Sequence, residues 1–249
     1  MNANSILSGA PVTKNLIIIN FIVWLAMLIL PGRLGINLED FCGLHYFGAS
    51  DFNPAQLVTY MFMHSTQSFA HILFNMFALF MFGWTLERVL GSKRFLFYYI
   101  SCGLGAALLQ ELTWALTWES TFVPIIANLN GISFEMARTA IQQATAAGQD
   151  LPFLNALVTI GASGAVYGIL LAFGMLFPNR PLYIMFIPIP IKAKWMVIGY
   201  GALELLIGMS EFWGRPDGVA HFAHLGGMIF GFFIIWYWKK KGVVHGERF

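Results

Sequence analysis

Charge is what this chain has least of. Asp, Glu, Lys and Arg make up only 10% of its 249 residues, against about 25% in a soluble domain. With 58% hydrophobic residues and a mean hydropathy of +0.69, its apolar surface exceeds what a water-soluble core can hide. The composition is that of a polytopic membrane protein. A net charge of +2 offers nothing to nucleic acid. Cysteine is nearly absent. Cys42 falls in a loop and Cys102 in an apolar stretch, which argues against a disulfide framework. No cysteine–histidine spacing points to a zinc site. There is no internal repeat, no low-complexity tract and no composition shift marking a separate soluble domain.

What is present is apolar sequence in six stretches, at roughly 15–30, 69–90, 95–117, 156–177, 194–213 and 218–238. The expected fold class is an all-α membrane protein of six transmembrane helices. The first stretch follows Lys14 and could pass for a signal peptide. "PGRLG", rather than a small-residue cleavage site, comes after it, so it is expected to be retained. "RVLGSKRF" reads as a tight turn. Residues 31–68 are too apolar and aromatic for a solvated loop and are expected to lie in the membrane interface. Residues 118–155 are expected outside, with a short helix in "FEMARTAIQQATAAGQ". "PLYIMFIPIPIK" carries three prolines and reads as extended.

Basic residues orient the chain. With the N-terminus cytoplasmic, eleven of the 14 Lys and Arg fall on inside segments. Only Arg33, Arg138 and Arg215 fall outside, so both termini are expected in the cytoplasm. The second, fourth and sixth stretches then run from outside to inside.

Three places break the apolar pattern. His71 and Asn75 stand at i, i+4 near the start of the second stretch, Ser163 lies between glycines in the fourth, and His221 and His224 open the sixth. Polar groups in hydrocarbon are costly and mark function by default. Counted from the outer ends at 1.5 Å per residue, His71, Ser163 and His224 all lie about 10 Å or less below the outer face. A serine hydroxyl becomes a nucleophile when a histidine takes its proton. A histidine and an asparagine one turn apart can then donate to an oxyanion, with the Ser163 N–H as a further donor. Gly164 with Gly168, and Gly227 with Gly231, are small-xxx-small pairs that let helices approach. Tyr167, one turn from Ser163, could pack on the imidazole.

Taken singly, these residues have plainer readings. Ser163 could be a packing residue, and His71 and Asn75 a cap and an interhelical hydrogen bond. His221 and His224 at i, i+3 could bind metal, as in carboxylate–histidine bundles. That reading is set aside because no intramembrane carboxylate is expected at their depth. His64 reads as interfacial and structural. Glu204, in the fifth stretch, is expected to be buried or near a cavity and paired across helices with a partner the sequence does not name.

"HILFNMFALFMFGWTLERVLG", "GASGAVYG" and "AHFAHLGGMIFG", in this order, resemble the rhomboid intramembrane serine proteases over roughly residues 50–240. A lone GxSG is weak, since soluble hydrolases carry it too; the three motifs together are specific. The resemblance implies a six-helix bundle and a Ser–His dyad without an acidic third member. Ser163 falls on the nucleophile. His224, followed by Gly227 and Gly231, falls on the base in preference to His221. His71 and Asn75 match the oxyanion-stabilising pair, Gly161 the glycine two before the nucleophile, Tyr167 the supporting aromatic and Glu87 a structural glutamate. The implied substrates are transmembrane segments of other membrane proteins, with the lipid bilayer as the other partner and no cofactor or metal. Where relatives carry a Trp-Arg pair in the first loop, this chain reads Ala55-Gln56, which alters loop packing rather than the dyad. The nearest acid on the outside, Asp217, is not expected to join the dyad. The six-span form implies a bacterial inner membrane. Two alternatives remain: an inactive relative that binds membrane proteins, disfavoured because serine and histidine are both kept, and a channel or transporter, disfavoured because ionisable residues do not line a path across the membrane.

Overall fold

In the computed structural model, residues 9–183, 190–209 and 219–245 are described. Each of the six apolar stretches contains a helix. The first, α1 (Pro11–Leu34), opens on proline, whose missing N–H costs nothing in a first turn. It closes at Gly35, which takes a left-handed φ of 66°. The free N–H groups of Val12 and Thr13 donate to the Glu87 carboxylate at 2.9 and 2.7 Å. Ser92 Oγ donates to the same group at 2.6 Å. Glu87 therefore caps a helix more than seventy residues away, which is the structural role expected of it.

The connection after α1 holds the short helices α2 (Leu38–Cys42) and α3 (Gln56–Thr59) and the strand β1 (Leu44–His45). Gln56 organises it. Its buried side chain accepts from the His45 and Asn53 N–H groups, both at 3.2 Å, and donates to the Asp51 carbonyl at 2.9 Å. β1 pairs antiparallel with β2 (Val158–Thr159), Leu44 opposite Thr159, which ties this loop to the approach of the serine.

Helix α4 (Phe69–Leu90) contains a π turn over Leu79–Gly83 and ends at Gly91, with φ 78°, in the expected tight turn. α5 (Ser92–Asn130) runs 39 residues, a rise of about 58 Å against a hydrocarbon core of about 30 Å. The apolar pattern fades near residue 117, but hydropathy marks lipid contact and not helix continuity. The helix goes on to the left-handed Gly131. α6 (Phe134–Ala146), the short helix expected there, is capped by Ser133 and packs through Ala137 and Ile141 on Val123 and Ala127 of α5. The long loop of the sequence reading is thus largely a helical hairpin.

The fourth stretch departs most from expectation. Helix was expected from 156. Residues 152–156 instead form a 3₁₀ turn, β2 follows, and Gly161 adopts φ 133°, which L side chains rarely take. α7 (Ser163–Leu176) therefore begins at the serine itself. β3 (Pro181–Tyr183) and β4 (Pro190–Lys192) pair antiparallel, so the described part of the proline-rich stretch is extended as expected. α8 (Ala193–Gly208) and α9 (His221–Lys240) complete the helices. Readings that fell on 184–189, 210–213, Arg215, Asp217, Gly218 and Arg248 lie outside the described residues.

By length and composition α1, α4 and α5 could each cross a membrane. α9 packs on α5 and α7, and Tyr98, Tyr99 and Phe95 of α5 are fully buried. The Tyr98 hydroxyl donates to the Gly168 carbonyl at 2.6 Å, and that of Tyr60 to the Gly103 carbonyl at 2.8 Å. A Cβ on Gly227 would overlap the Gly164 carbonyl, so α7 and α9 meet backbone to backbone. Gly231 faces Tyr98 and Cys102 of α5 rather than α7. Both cysteines are free.

Candidate active site

Ser163 opens α7, so its N–H has no carbonyl partner within the helix. Its Oγ lies 2.8 Å from Nε2 of His224, in the first turn of α9. The His224 ring stacks on Tyr167, with centroids 4.2 Å apart and planes within 9°. One helix thus carries the serine and, a turn later, the plate on which the imidazole rests.

His71 approaches from α4. The Ser65 backbone N–H lies 3.2 Å from His71 Nδ1. A backbone N–H can only donate, so Nδ1 accepts and the neutral ring carries its proton on Nε2. That Nε2 faces Gly161. A Cβ there would sit 2.9 Å from His71 Nε2 and 3.5 Å from Ser163 Oγ, so the glycine keeps open the space between donor and serine. Asn75, one turn along, donates to the His71 carbonyl at 2.8 Å, which uses one of its two amide protons. Ser163, His224, His71, Asn75 and Gly161 all line one cavity of about 600 Å³.

Two neighbours on the connection between α1 and α4 bear on the electrostatics of the site. Glu39, at the cavity wall, has its carboxyl raised by burial and by Asp40 beside it. His64, read from the sequence as interfacial and structural, is wholly buried, its ring 5.1 Å from that of His71. Burial, and then the charge of His71, push it down to about 3.

Glu204, expected to be buried and paired across helices with an unnamed partner, is paired with both histidines of α9. The expectation that no carboxylate lies at the depth of the histidines is corrected by its position. Its Oε2 lies 2.6 Å from Nδ1 of His221 and 2.9 Å from Nδ1 of His224, and its Oε1 accepts from the Tyr167 hydroxyl. A signal was available. α8 ends at Gly208 and α9 starts at His221, and one connection joins these two ends. Glu204 lies about 6 Å back from its end, much as His224 lies just past the start of α9.

A family model described as Rhomboid domain matches residues 52–241. The chain belongs to the rhomboid family. The match includes Ser163, His224, His71, Asn75 and Gly161 but not Glu39 of the cavity wall, and its bounds lie close to the 50–240 over which the motifs resemble the family. Rhomboid protein 1, mitochondrial, of Saccharomyces cerevisiae is 30% identical over 176 residues, covering 71% of this chain and 40% of that protein. YdcA of Bacillus subtilis is 30% identical over 94 residues, covering 38% of this chain and 46% of its own. The chain therefore aligns with less than half the length of either relative.

Proposed function

We propose that this rhomboid is an intramembrane serine endopeptidase that cleaves transmembrane segments of other membrane proteins near the outer face of the bilayer. The observation that carries the reading is the 2.8 Å contact of Ser163 Oγ with His224 Nε2 beside the His71 donor. All six helices would cross the membrane with both termini cytoplasmic, a reading supported by the distribution of Lys and Arg. The bare six-span form is what makes a bacterial plasma membrane the proposed setting.

A substrate helix enters from the lipid and unwinds at the cavity. Ser163 Oγ bonds to the scissile carbonyl carbon while its proton passes to His224 Nε2. The carbonyl electron pair moves onto oxygen, and His71 Nε2–H, the second Asn75 amide proton and the Ser163 N–H converge on that oxyanion. Collapse breaks the C–N bond, and the leaving amine takes the proton from His224. Water then attacks the acyl-enzyme, losing a proton to His224, which returns it to Ser163. No metal or cofactor enters these steps.

The test is cleavage of a fluorescent transmembrane-helix substrate in liposomes, paired with fluorophosphonate labelling. Wild type should cleave and label, and Ser163→Ala should do neither. A Ser163→Ala protein that cleaves, free of contaminating protease, would sink the reading. Wild type that neither cleaves nor labels would favour a relative that binds membrane proteins without cutting them.

A further inference from the structure

We propose that Glu204 is a positioning residue for the Ser163–His224 pair, holding the His224 proton on Nδ1 and standing as counter-charge to the imidazolium that forms during attack. This rests on the protease reading above, and it departs from the acid-free pair that the family resemblance implies.

The argument begins with donors and acceptors. A carboxylate only accepts, so the 2.9 Å contact of Glu204 Oε2 with His224 Nδ1 places the imidazole proton on Nδ1. Nε2 is then left with its lone pair toward Ser163 Oγ, 2.8 Å away, as a general base requires. The opposite tautomer would set the Nδ1 lone pair against the carboxylate and an N–H against the serine. His221 donates to the same Oε2 at 2.6 Å, and the Tyr167 hydroxyl to Oε1, so three donors from two other helices hold the carboxylate in place. Tyr167 acts twice, fixing Glu204 with its hydroxyl and the His224 plane with its ring. Glu204 and His224 are each only 8% exposed. In so dry a site, a cation on His224 is far better stabilised by an adjacent carboxylate than it would be in water.

The same three side chains offer ligand atoms within 4.8 Å of one another, a set that could hold a metal ion. The distances favour protons over a metal ion, and the chelator test below checks this. Ligands about 2.0–2.2 Å from a tetrahedral zinc sit about 3.3 Å apart. The observed 2.6 and 2.9 Å are those of N–H donors on a carboxylate. The group is arranged around protons.

The experiment compares wild type, Glu204→Gln and Glu204→Asp in liposomes, with folding followed by thermal unfolding. ¹⁵N-histidine NMR reports the His224 tautomer. The amide keeps an acceptor for the imidazoles but loses the charge. Glu204→Gln should lower kcat about a hundredfold or more while KM stays within about threefold. Glu204→Asp should recover most of that loss. Wild-type His224 should show its proton on Nδ1, shifted downfield by the charged acceptor and less so in Glu204→Gln. Folded Glu204→Gln with kcat within about threefold of wild type and an unmoved resonance would overturn the proposal. So would a wild-type His224 protonated on Nε2, whatever the variants do, or activity removed by a chelator and restored by zinc. Absence of Ser163-dependent labelling in wild type would instead remove the protease reading, and the tautomer would still judge the hold of Glu204 on His224.

Discussion

Gly227 of α9 rests against the carbonyl of Gly164 on α7, with no side chain between them. Gly164 follows the serine, and Gly227 lies one turn beyond His224. Ordinary helix pairs stand about 8–10 Å apart with side chains in the gap. Here two backbones touch, and that contact brings the serine within 2.8 Å of the imidazole. Gly227→Ala should therefore cost about 1–3 kcal/mol and slow fluorophosphonate labelling of Ser163. Gly199, on α8, faces open space. Gly199→Ala should leave labelling unchanged and stabilise by about 0.5–1 kcal/mol. Thermal unfolding and labelling rates together check the pair, and equal effects at the two glycines would contradict this account of the helix contact.

Both histidines of α9 donate to Glu204, but among the described contacts only His224 reaches Ser163. His224→Ala should abolish cleavage, while His221→Ala should reduce it by about tenfold at most. The check is kcat in the liposome assay on folded variants. Equal loss in both would leave the choice of base without support.

Gly161 combines a φ of 133° with a Cβ position 2.9 Å from His71 Nε2. Gly161→Ala should push the donor away from the oxyanion. The expected loss is about 10²-fold in kcat with little change in KM. Unchanged kcat in a folded variant would remove His71 from the oxyanion site.

Glu87 is 1% exposed and accepts from two backbone N–H groups of α1 and from Ser92. Glu87→Ala should destabilise by about 2–4 kcal/mol, since it strands buried donors. Folded variant at low temperature should retain whatever kcat the wild type shows. A drop in kcat without a drop in melting temperature would indicate a role other than capping.

His64 gives the fold an acid-sensitive element. Burial holds its folded value at about 3, against 6.5 for the free side chain. Between those values the unfolded chain binds a proton that the folded chain does not. Stability therefore rises with pH through this window and is lost as pH falls from about 6.5 toward 3, by a few kcal/mol in all. Denaturation followed at several pH values should show this slope in wild type and a shallower one in His64→Phe. Identical slopes would place the acid sensitivity elsewhere.

Much of this was legible in the chain. Hydropathy marks where a backbone must satisfy its own hydrogen bonds, so the apolar stretches located the helices. The cost of polar groups in hydrocarbon made Ser163, His71, Asn75 and His224 conspicuous, and a shared depth grouped them. Their spatial meeting, the Tyr167 stack and the Glu87 cap follow the same pattern. The reading failed where hydropathy carries no information. α5 continues past residue 117 because helix ends are set by caps such as Gly131, not by lipid contact. The residues before Ser163 leave the helix because Gly161 allows a backbone turn, a conformational freedom that apolar composition does not record.

By itself, then, the sequence marked the apolar stretches that hold the helices and the polar residues that interrupt them, because each follows from the cost of a side chain in its surroundings; the choice of His224 over His221 came from the family resemblance. Only the tertiary structure decided that Glu204 stands behind His224. A carboxylate's partner depends on how helices rotate about their axes. That rotation is set by glycine contacts such as Gly164 with Gly227, which depend on the packing of the whole bundle.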